Sequence, residues 1–148
     1  MTAAQSPMRP EQGAWTLLFL AWLIALLATA GALFLGEVMG KTPCVLCWYQ
    51  RIAMFPLVAI LGVGLLKSDH QSVRYALPLA WAGWVIALYH CLIFWGVVSE
   101  GLTPCRQGVS CADADVQVAG VVPIPLLSLV ALSAILALFW FAKRKVRT

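Results

Sequence analysis

Charged side chains are scarce in this sequence, where they make up 11% of the 148 residues while 62% of the residues are hydrophobic. A soluble domain has about 25% charged residues, so the composition excludes an ordinary soluble protein and indicates a membrane protein. The ten Lys and Arg residues outnumber the six acids, but they are not gathered on one predicted face. A nucleic-acid-binding surface is therefore not expected.

Internal repeats and low-complexity segments are also absent, and this length is natural for a single domain. The sequence instead consists mainly of long apolar runs. Three of them, at residues 13–36, 75–99 and 116–142, exceed the roughly 20 residues that cross a hydrocarbon core of about 30 Å. Each of these runs is expected to form a membrane-spanning helix.

A fourth apolar run, second along the chain, is free of charge only over residues 52–66 and would span about 22 Å as a helix, which is too short. If this helix begins at Cys44, it spans about 34 Å and reaches across. The sequence therefore predicts an all-α integral membrane four-helix bundle within residues 13–142. The expected helices lie at about 14–36, 44–66, 75–99 and 123–142.

The distribution of positive charge predicts the orientation of the bundle. Seven of the ten Lys and Arg residues lie in the two termini and in the connection 67–74. Positive residues favour the cytoplasmic side, so the tails 1–12 and 143–148 are expected in the cytoplasm. The two segments that carry paired cysteines then face outside.

Four of the five cysteines form two close pairs, a CxxC pair at Cys44 and Cys47 and a loop pair at Cys105 and Cys111. Outside the cytoplasm such pairs readily form disulfides. The chain loops that they close are only a few residues long, so they stabilise the fold little, and redox chemistry is the better interpretation. A zinc site is not expected, because the loop pair is spaced too widely for a CxxC knuckle and no outward-facing histidine joins it.

The stretch TPCVLCWYQR suggests how the CxxC pair is activated. Thr42 can serve as N-cap and Pro43 as the first helical residue, which leaves Cys44 in the first turn and Cys47 one turn later. The free N–H groups and the positive end of the helix dipole then favour thiolate over thiol. Arg51 follows on the same helix face and can support a thiolate or bind an anionic or carbonyl partner.

Several nearby residues have both a functional and a structural interpretation. Arg51 could extend to the lipid headgroups, and Trp48 suits the membrane interface, with stacking on a planar ligand as a secondary role. His90 lies in the outer half of the third span, where an ionisable side chain is functional or is bonded to a neighbouring helix. Cys91 is expected to be a small packing residue.

Nearly the whole chain resembles the membrane disulfide oxidoreductases of the DsbB type, especially the short BdbC-like branch. The resemblance is carried by the four spans, by PCVLCWYQR at the start of the second, by the loop pair and by IPLLSL at the start of the fourth. It implies a multi-pass enzyme of the bacterial inner membrane. Its partners would be an extracytoplasmic thioredoxin-fold oxidoreductase and a membrane quinone, ubiquinone or menaquinone.

The resemblance also implies a relay of disulfide exchanges. The reduced partner attacks the loop pair at Cys105, Cys111 exchanges with Cys44, and Cys47 is freed as a thiolate that faces the quinone. Arg51 matches the quinone-side arginine of the family. His90 lies in the region of a family histidine, in a different local sequence. Only five residues separate Cys105 from Cys111, fewer than in the longer members, so the relay needs smaller motions or a different attacking residue.

Two other interpretations stay open at this point. A vitamin K epoxide reductase-like protein is also a quinone-linked four-span bundle, but it carries its CxxC on the fourth helix rather than at the start of the second. A non-catalytic membrane assembly or transport subunit with structural disulfides would lose only stability when its cysteines are replaced.

Overall fold

The computed structural model of the chain describes residues 10–69, 71–99, 110–111, 117–118 and 122–147. Four helices dominate it, and each is long and apolar enough to cross a membrane. The predicted all-α bundle of four membrane helices is thereby confirmed. The elements, in chain order, are α1 (Pro10–Leu33), a π-helical extension of α1 (Phe34–Val38), α2 (Val45–Leu66), α3 (Ser72–Phe94), β1 (Gln117–Val118), β2 (Val122–Pro123) and α4 (Ile124–Arg147).

The ends of the helices differ from those expected by a few residues, for local reasons. α1 begins at Pro10, since proline fits a first helical position that needs no N–H donor. α3 ends at Phe94, five residues before the expected end, because Gly96 adopts a φ of +71° and its N–H bonds to the Ile93 carbonyl. α4 continues to Arg147, through most of the segment expected to be a tail.

The helices form a closed ring in which α1 and α3 each pack against both α2 and α4. Buried side chains from all four helices make one core, with Leu18, Leu57, Ala80 and Leu132 among them. A Cβ atom at Gly83 would lie 3.1 Å from the nearest atom of α2, so small residues let the backbones approach closely.

The outer faces of the helices are apolar, as lipid contact requires. Large hydrophobic side chains such as Leu27, Ile52 and Val130 are exposed in mid-span. The beginning of α1 and the end of α4 lie at the same end of the bundle, because Gly13 contacts the Lys145 side chain. The opposite end holds the start of α2, the end of α3 and the antiparallel pairing of β1 with β2, Gln117 with Pro123 and Val118 with Val122. The CxxC pair lies at that end.

Candidate active site

Cys44 itself is the N-cap of α2, which corrects the expectation that Thr42 holds this position. Cys44 has extended backbone angles (φ −68°, ψ 168°), and its Sγ accepts a hydrogen bond from the Cys47 backbone N–H at 3.3 Å. N-cap preferences favour Thr over Cys, so the sequence alone points to the wrong residue. Sulfur does the capping here because the helix begins only at Val45, directly after Cys44. An N–H group and the helix dipole act directly on the sulfur, so they favour thiolate over thiol, as the sequence predicts.

The surroundings of Cys44 stabilise it as a thiolate. Its Sγ lies 2.7 Å from Cys47 Sγ and 3.8 Å from His90 Nε2, and it is 3% exposed. The Cys47 thiol donates to this sulfur, and the His90 imidazole adds a second hydrogen bond. Burial acts in the opposite direction. The balance lowers the pKa of Cys44 from 9.0 to about 4, so the reduced CxxC pair carries its negative charge on Cys44.

Cys111, from the connection between α3 and α4, reaches this end of the bundle. Its side chain is fully buried and packs in a cluster with Cys44, Leu46 and Ile93. The Sγ atoms of Cys44 and Cys111 and a ring nitrogen of His90 all lie within 4.8 Å of one another. Cys111 is disulfide-bonded, whereas Cys44 and Cys47 are free. Cys105, the other member of the predicted loop pair, lies outside the described residues.

The cluster of two cysteines and a histidine has the residue types that bind zinc. A zinc ligand must be a thiolate, however, and Cys111 is part of a disulfide in this structure. The arrangement therefore suits exchange between sulfur atoms better than metal coordination. Cys91, the fifth cysteine, is a buried free thiol next to His90 in the chain.

His90 is completely buried and is held between Gln50 of α2 and Cys44, the N-cap of that helix. One ring nitrogen faces Cys44, and the other, Nδ1, lies 3.3 Å from the side-chain nitrogen of Gln50. Gln50 is itself buried. The structure thus puts His90 beside the sulfur of Cys44 rather than against a ligand cavity.

Arg51 is fixed by contacts with both α1 and α2. Its Nη2 donates to the Ala32 carbonyl at 2.7 Å, and the guanidinium lies over the Trp48 ring, 5.3 Å from its centre. Ala32 lies just before the π-helical extension, where the hydrogen-bond pattern changes and a carbonyl can lose its intrahelical donor. Gly36 leaves room for the guanidinium, since a Cβ atom there would be 3.1 Å from Nη2.

A cavity of about 300 Å³ opens beside the CxxC pair, between α1, α2 and α4. Most of its wall is apolar, with Ala28, Leu35, Met54 and Leu132 among the lining residues. Its polar and cysteine lining residues are Lys41, Thr42, Cys44, Cys47, Gln50, Arg51 and Ser128. An apolar space with a few converging donors suits a ring that carries carbonyl oxygens, which is what a quinone headgroup presents.

The predicted site residues occupy distinct positions around this cavity. Cys44, Cys47 and Arg51 line it together. His90 and Trp48 are not among its lining residues, since His90 is behind Cys44 and Trp48 is half-exposed beside Arg51. Sequence reasoning did not single out Gln50, because a contact between residues 40 positions apart leaves no trace in periodicity or spacing.

Comparison with known proteins gives one consistent family. A family model described as "Disulfide bond formation protein DsbB" matches residues 14–142. A "Probable disulfide formation protein" of Metapseudomonas resinovorans is 45% identical over 93% of this chain and 96% of its own length. The "Disulfide bond formation protein C" of Bacillus subtilis is 40% identical over 77% of this chain and 83% of its own. A "Probable disulfide formation protein" of Deinococcus radiodurans is 38% identical over 88% of this chain and 91% of its own length. No solved structure gives a significant match.

Proposed function

The chain belongs to the DsbB family of membrane disulfide bond formation proteins, and we propose that it is a protein-dithiol:quinone oxidoreductase. It reoxidises a thioredoxin-fold partner outside the cytoplasm and passes the electrons to a membrane quinone. The observation that carries this proposal is the approach of Cys111 to Cys44 at the mouth of a cavity lined by Cys47 and Arg51.

The first half of the reaction is an exchange of disulfides that begins at the loop pair. A thiolate of the reduced partner attacks Cys105 Sγ, the Cys105–Cys111 bond breaks, and Cys111 leaves as a thiolate. Cys111 then attacks Cys44 of the oxidised CxxC pair, the Cys44–Cys47 bond breaks, and Cys47 leaves as a thiolate. The proximity of Cys111 and Cys44 sulfurs supports this order, because little motion separates them.

The second half of the exchange releases the partner in oxidised form. The partner's other thiol attacks its mixed disulfide with Cys105, and Cys105 in turn displaces Cys44 from Cys111. The partner has then lost two electrons and two protons, and the CxxC pair has gained them. The loop pair is a disulfide again. A disulfide at Cys111 with free thiols at Cys44 and Cys47 is the state found in this structure.

The two sulfurs of the CxxC pair have separate tasks in this scheme. While Cys44 is bonded to Cys111, Cys47 is the sulfur that carries negative charge, and Arg51 lines the same cavity. After Cys44 is released, the charge resides on Cys44, which is stabilised by Cys47 and His90. The charge therefore moves from the cavity side to the His90 side as the exchange completes.

The cavity suits the electron acceptor. A membrane quinone, ubiquinone or menaquinone, supplies an acceptor for two electrons and two protons when it is bound there. Arg51 and Ser128 are the residues that would hold its oxygens by hydrogen bonds, and Met54 and Leu132 would contact the ring. The fixed guanidinium stabilises negative charge on that side of the CxxC pair, and the apolar wall excludes water from the reacting sulfur. Trp48 acts through Arg51 by holding its guanidinium from one side.

The proposed orientation rests on the charge distribution. Lys67, Arg74 and the basic residues after position 142 favour the cytoplasmic side. The CxxC end of the bundle then faces outside in the bacterial inner membrane, where a secreted thioredoxin-fold partner can reach Cys105.

A single-turnover measurement tests the proposal. Purified protein in detergent is mixed with a reduced thioredoxin-fold oxidoreductase, and the absorbance of added quinone is followed. Wild type should reduce one quinone for each partner disulfide formed, while Cys47→Ser and Cys105→Ser should reduce none. Cys91→Ala is the matched control, since Cys91 takes no part in the relay, and it should keep the wild-type rate.

The opposite outcome would identify the cysteines as structural. In that case wild type leaves the quinone oxidised, and the cysteine variants lose thermal stability without any specific redox defect. The protein would then be a membrane subunit with stabilising disulfides.

A further inference from the structure

The buried amide of Gln50 has no assigned part in the exchange, yet it contacts the one imidazole in the site. His90 has Nε2 towards Cys44 Sγ at 3.8 Å and Nδ1 towards the Gln50 side-chain nitrogen at 3.3 Å. All three residues are buried, so water does not compete for these hydrogen bonds. The two ring nitrogens therefore have fixed and different neighbours.

The chemistry of the two neighbours decides which nitrogen carries the proton. A neutral imidazole has one N–H donor and one lone-pair acceptor. A thiolate only accepts, so Cys44 requires the proton on Nε2. The remaining nitrogen, Nδ1, must then accept, and the side-chain NH2 of Gln50 is the donor that faces it. The two hydrogen bonds of the neutral ring can form at the same time only in this tautomer.

We propose that Gln50 is a positioning residue that holds His90 in the tautomer and ring orientation whose Nε2–H faces Cys44 Sγ. Gln50 thus acts through His90, whereas Cys47 acts on Cys44 directly. The consequence for exchange is that Cys44 is a good leaving group when its bond to Cys111 breaks. That consequence rests on the proposed function, but the effect on the Cys44 thiol does not.

Within the described part of the chain, the groups that face Cys44 lie on separate segments. Cys47 approaches from α2, His90 from α3, and the disulfide-bonded Cys111 from the second outer segment. Lys41 and Arg51 line the adjoining cavity. Gln50 is hydrogen-bonded to His90, so a change at Gln50 is expected to reach Cys44 through the imidazole.

Nitrogen NMR of the imidazole tests the tautomer without any partner or quinone. The chain has only two histidines, so a His70→Gln variant labelled with ¹⁵N-histidine reports on His90 alone. At a pH where the ring is neutral, Nε2 should show the shift of a protonated nitrogen and Nδ1 that of an unprotonated one. A protonated Nδ1 would overturn the proposal, because Gln50 could not then donate to it.

Titration of Cys44 tests the effect on sulfur. Serine is introduced at the other four cysteines, so that the pH dependence of alkylation by iodoacetamide reports on Cys44 alone. Gln50→Met, which removes the donor at similar size, should raise the midpoint by on the order of one pH unit, the effect of weakening one hydrogen bond to a charged group. Gln71→Met makes the same chemical change at the far end of α3, where Gln71 caps no N–H group, and should leave the midpoint unchanged.

A double-mutant cycle separates this role from a purely structural one. In a His90→Leu background, Gln50→Met should shift the midpoint no further, since the residue through which it acts is gone. If Gln50→Met shifts the midpoint equally with and without His90, or leaves it unchanged in the presence of His90, the proposal is wrong. Should Gln50→Met fail to fold, the nitrogen shifts of the Gln50-containing protein still decide the question. None of these readouts requires electron transfer, so the inference and the proposed function can fail separately.

Discussion

Replacing Gly36 by alanine tests whether the position of the Arg51 guanidinium matters to the cavity. An added Cβ atom would lie 3.1 Å from Nη2 and 3.3 Å from Nη1, whereas ordinary van der Waals contact begins at 3.4 Å. The guanidinium must therefore retreat by about 0.3 Å. Its hydrogen bond to the Ala32 carbonyl, now 2.7 Å, would be lengthened by a similar amount. The bond is weakened rather than lost.

The expected cost is part of a charged hydrogen bond, about 1 kcal/mol. Alanine in place of glycine in a helix stabilises the folded state by up to about 1 kcal/mol. Thermal stability should therefore change little, while the KM for quinone rises about fivefold, the factor that corresponds to about 1 kcal/mol. Steady-state quinone reduction with excess reduced partner measures the KM, and thermal denaturation in detergent measures stability.

Gly31 offers a matched control within α1. A Cβ atom there meets nothing within 4 Å, so Gly31→Ala should raise stability and leave the KM for quinone unchanged. If Gly36→Ala and Gly31→Ala give the same KM, the position of the Arg51 guanidinium does not affect quinone use. The part assigned to Arg51 would then be wrong.

Three further expectations concern stability and charge. Gly64→Ala should destabilise the fold by about 1–3 kcal/mol in thermal denaturation, because the added methyl group overlaps the Ser72 side chain. A variant as stable as wild type would contradict this close approach of α2 and α3. Cys91→Ala should lose about 1 kcal/mol of stability and keep the wild-type rate of electron transfer, and a slowed rate would bring Cys91 into the relay. In the reduced protein, folding lowers the pKa of Cys44 from 9.0 to about 4, so the Cys44 thiolate stabilises the folded state. This stabilisation should be complete above pH about 9, decrease steadily as the pH falls and disappear below about 4. Denaturation against pH, compared with Cys44→Ser, measures this difference, and a difference that does not vary with pH would contradict it.

The bundle could be predicted from the sequence because lipid imposes strong constraints on composition. A membrane helix must be apolar over about 20 residues and must bond its own backbone groups, so run length alone finds the four spans. The short second run even located the CxxC pair at the start of α2. The π-helical extension Phe34–Val38 carries no comparable signal, and the hydrogen bond from Arg51 to the Ala32 carbonyl just before it joins residues 19 positions apart.

The candidate site could be predicted only where its residues are close in sequence. Cys44, Cys47 and Arg51 share one helix face by spacing alone, and they do line one cavity. The cap was assigned to Thr42 because capping preferences are averages, and a cysteine cap depends on where the chain turns. The contact of Gln50 with His90 and the approach of Cys111 to Cys44 join distant segments, so only the packed bundle reveals them.

Disulfide trapping in a double variant tests the relay most directly. Cys47→Ser combined with Cys105→Ser leaves Cys44, Cys91 and Cys111 as the only cysteines. After mild oxidation, peptide mapping by mass spectrometry should find Cys44 bonded to Cys111, because their sulfurs lie within 4.8 Å of each other. Cys91 should remain a free thiol. The relay is contradicted if Cys44 and Cys111 stay unpaired, or if either one bonds to Cys91 instead. The loop pair would then not pass electrons to the CxxC pair through Cys44.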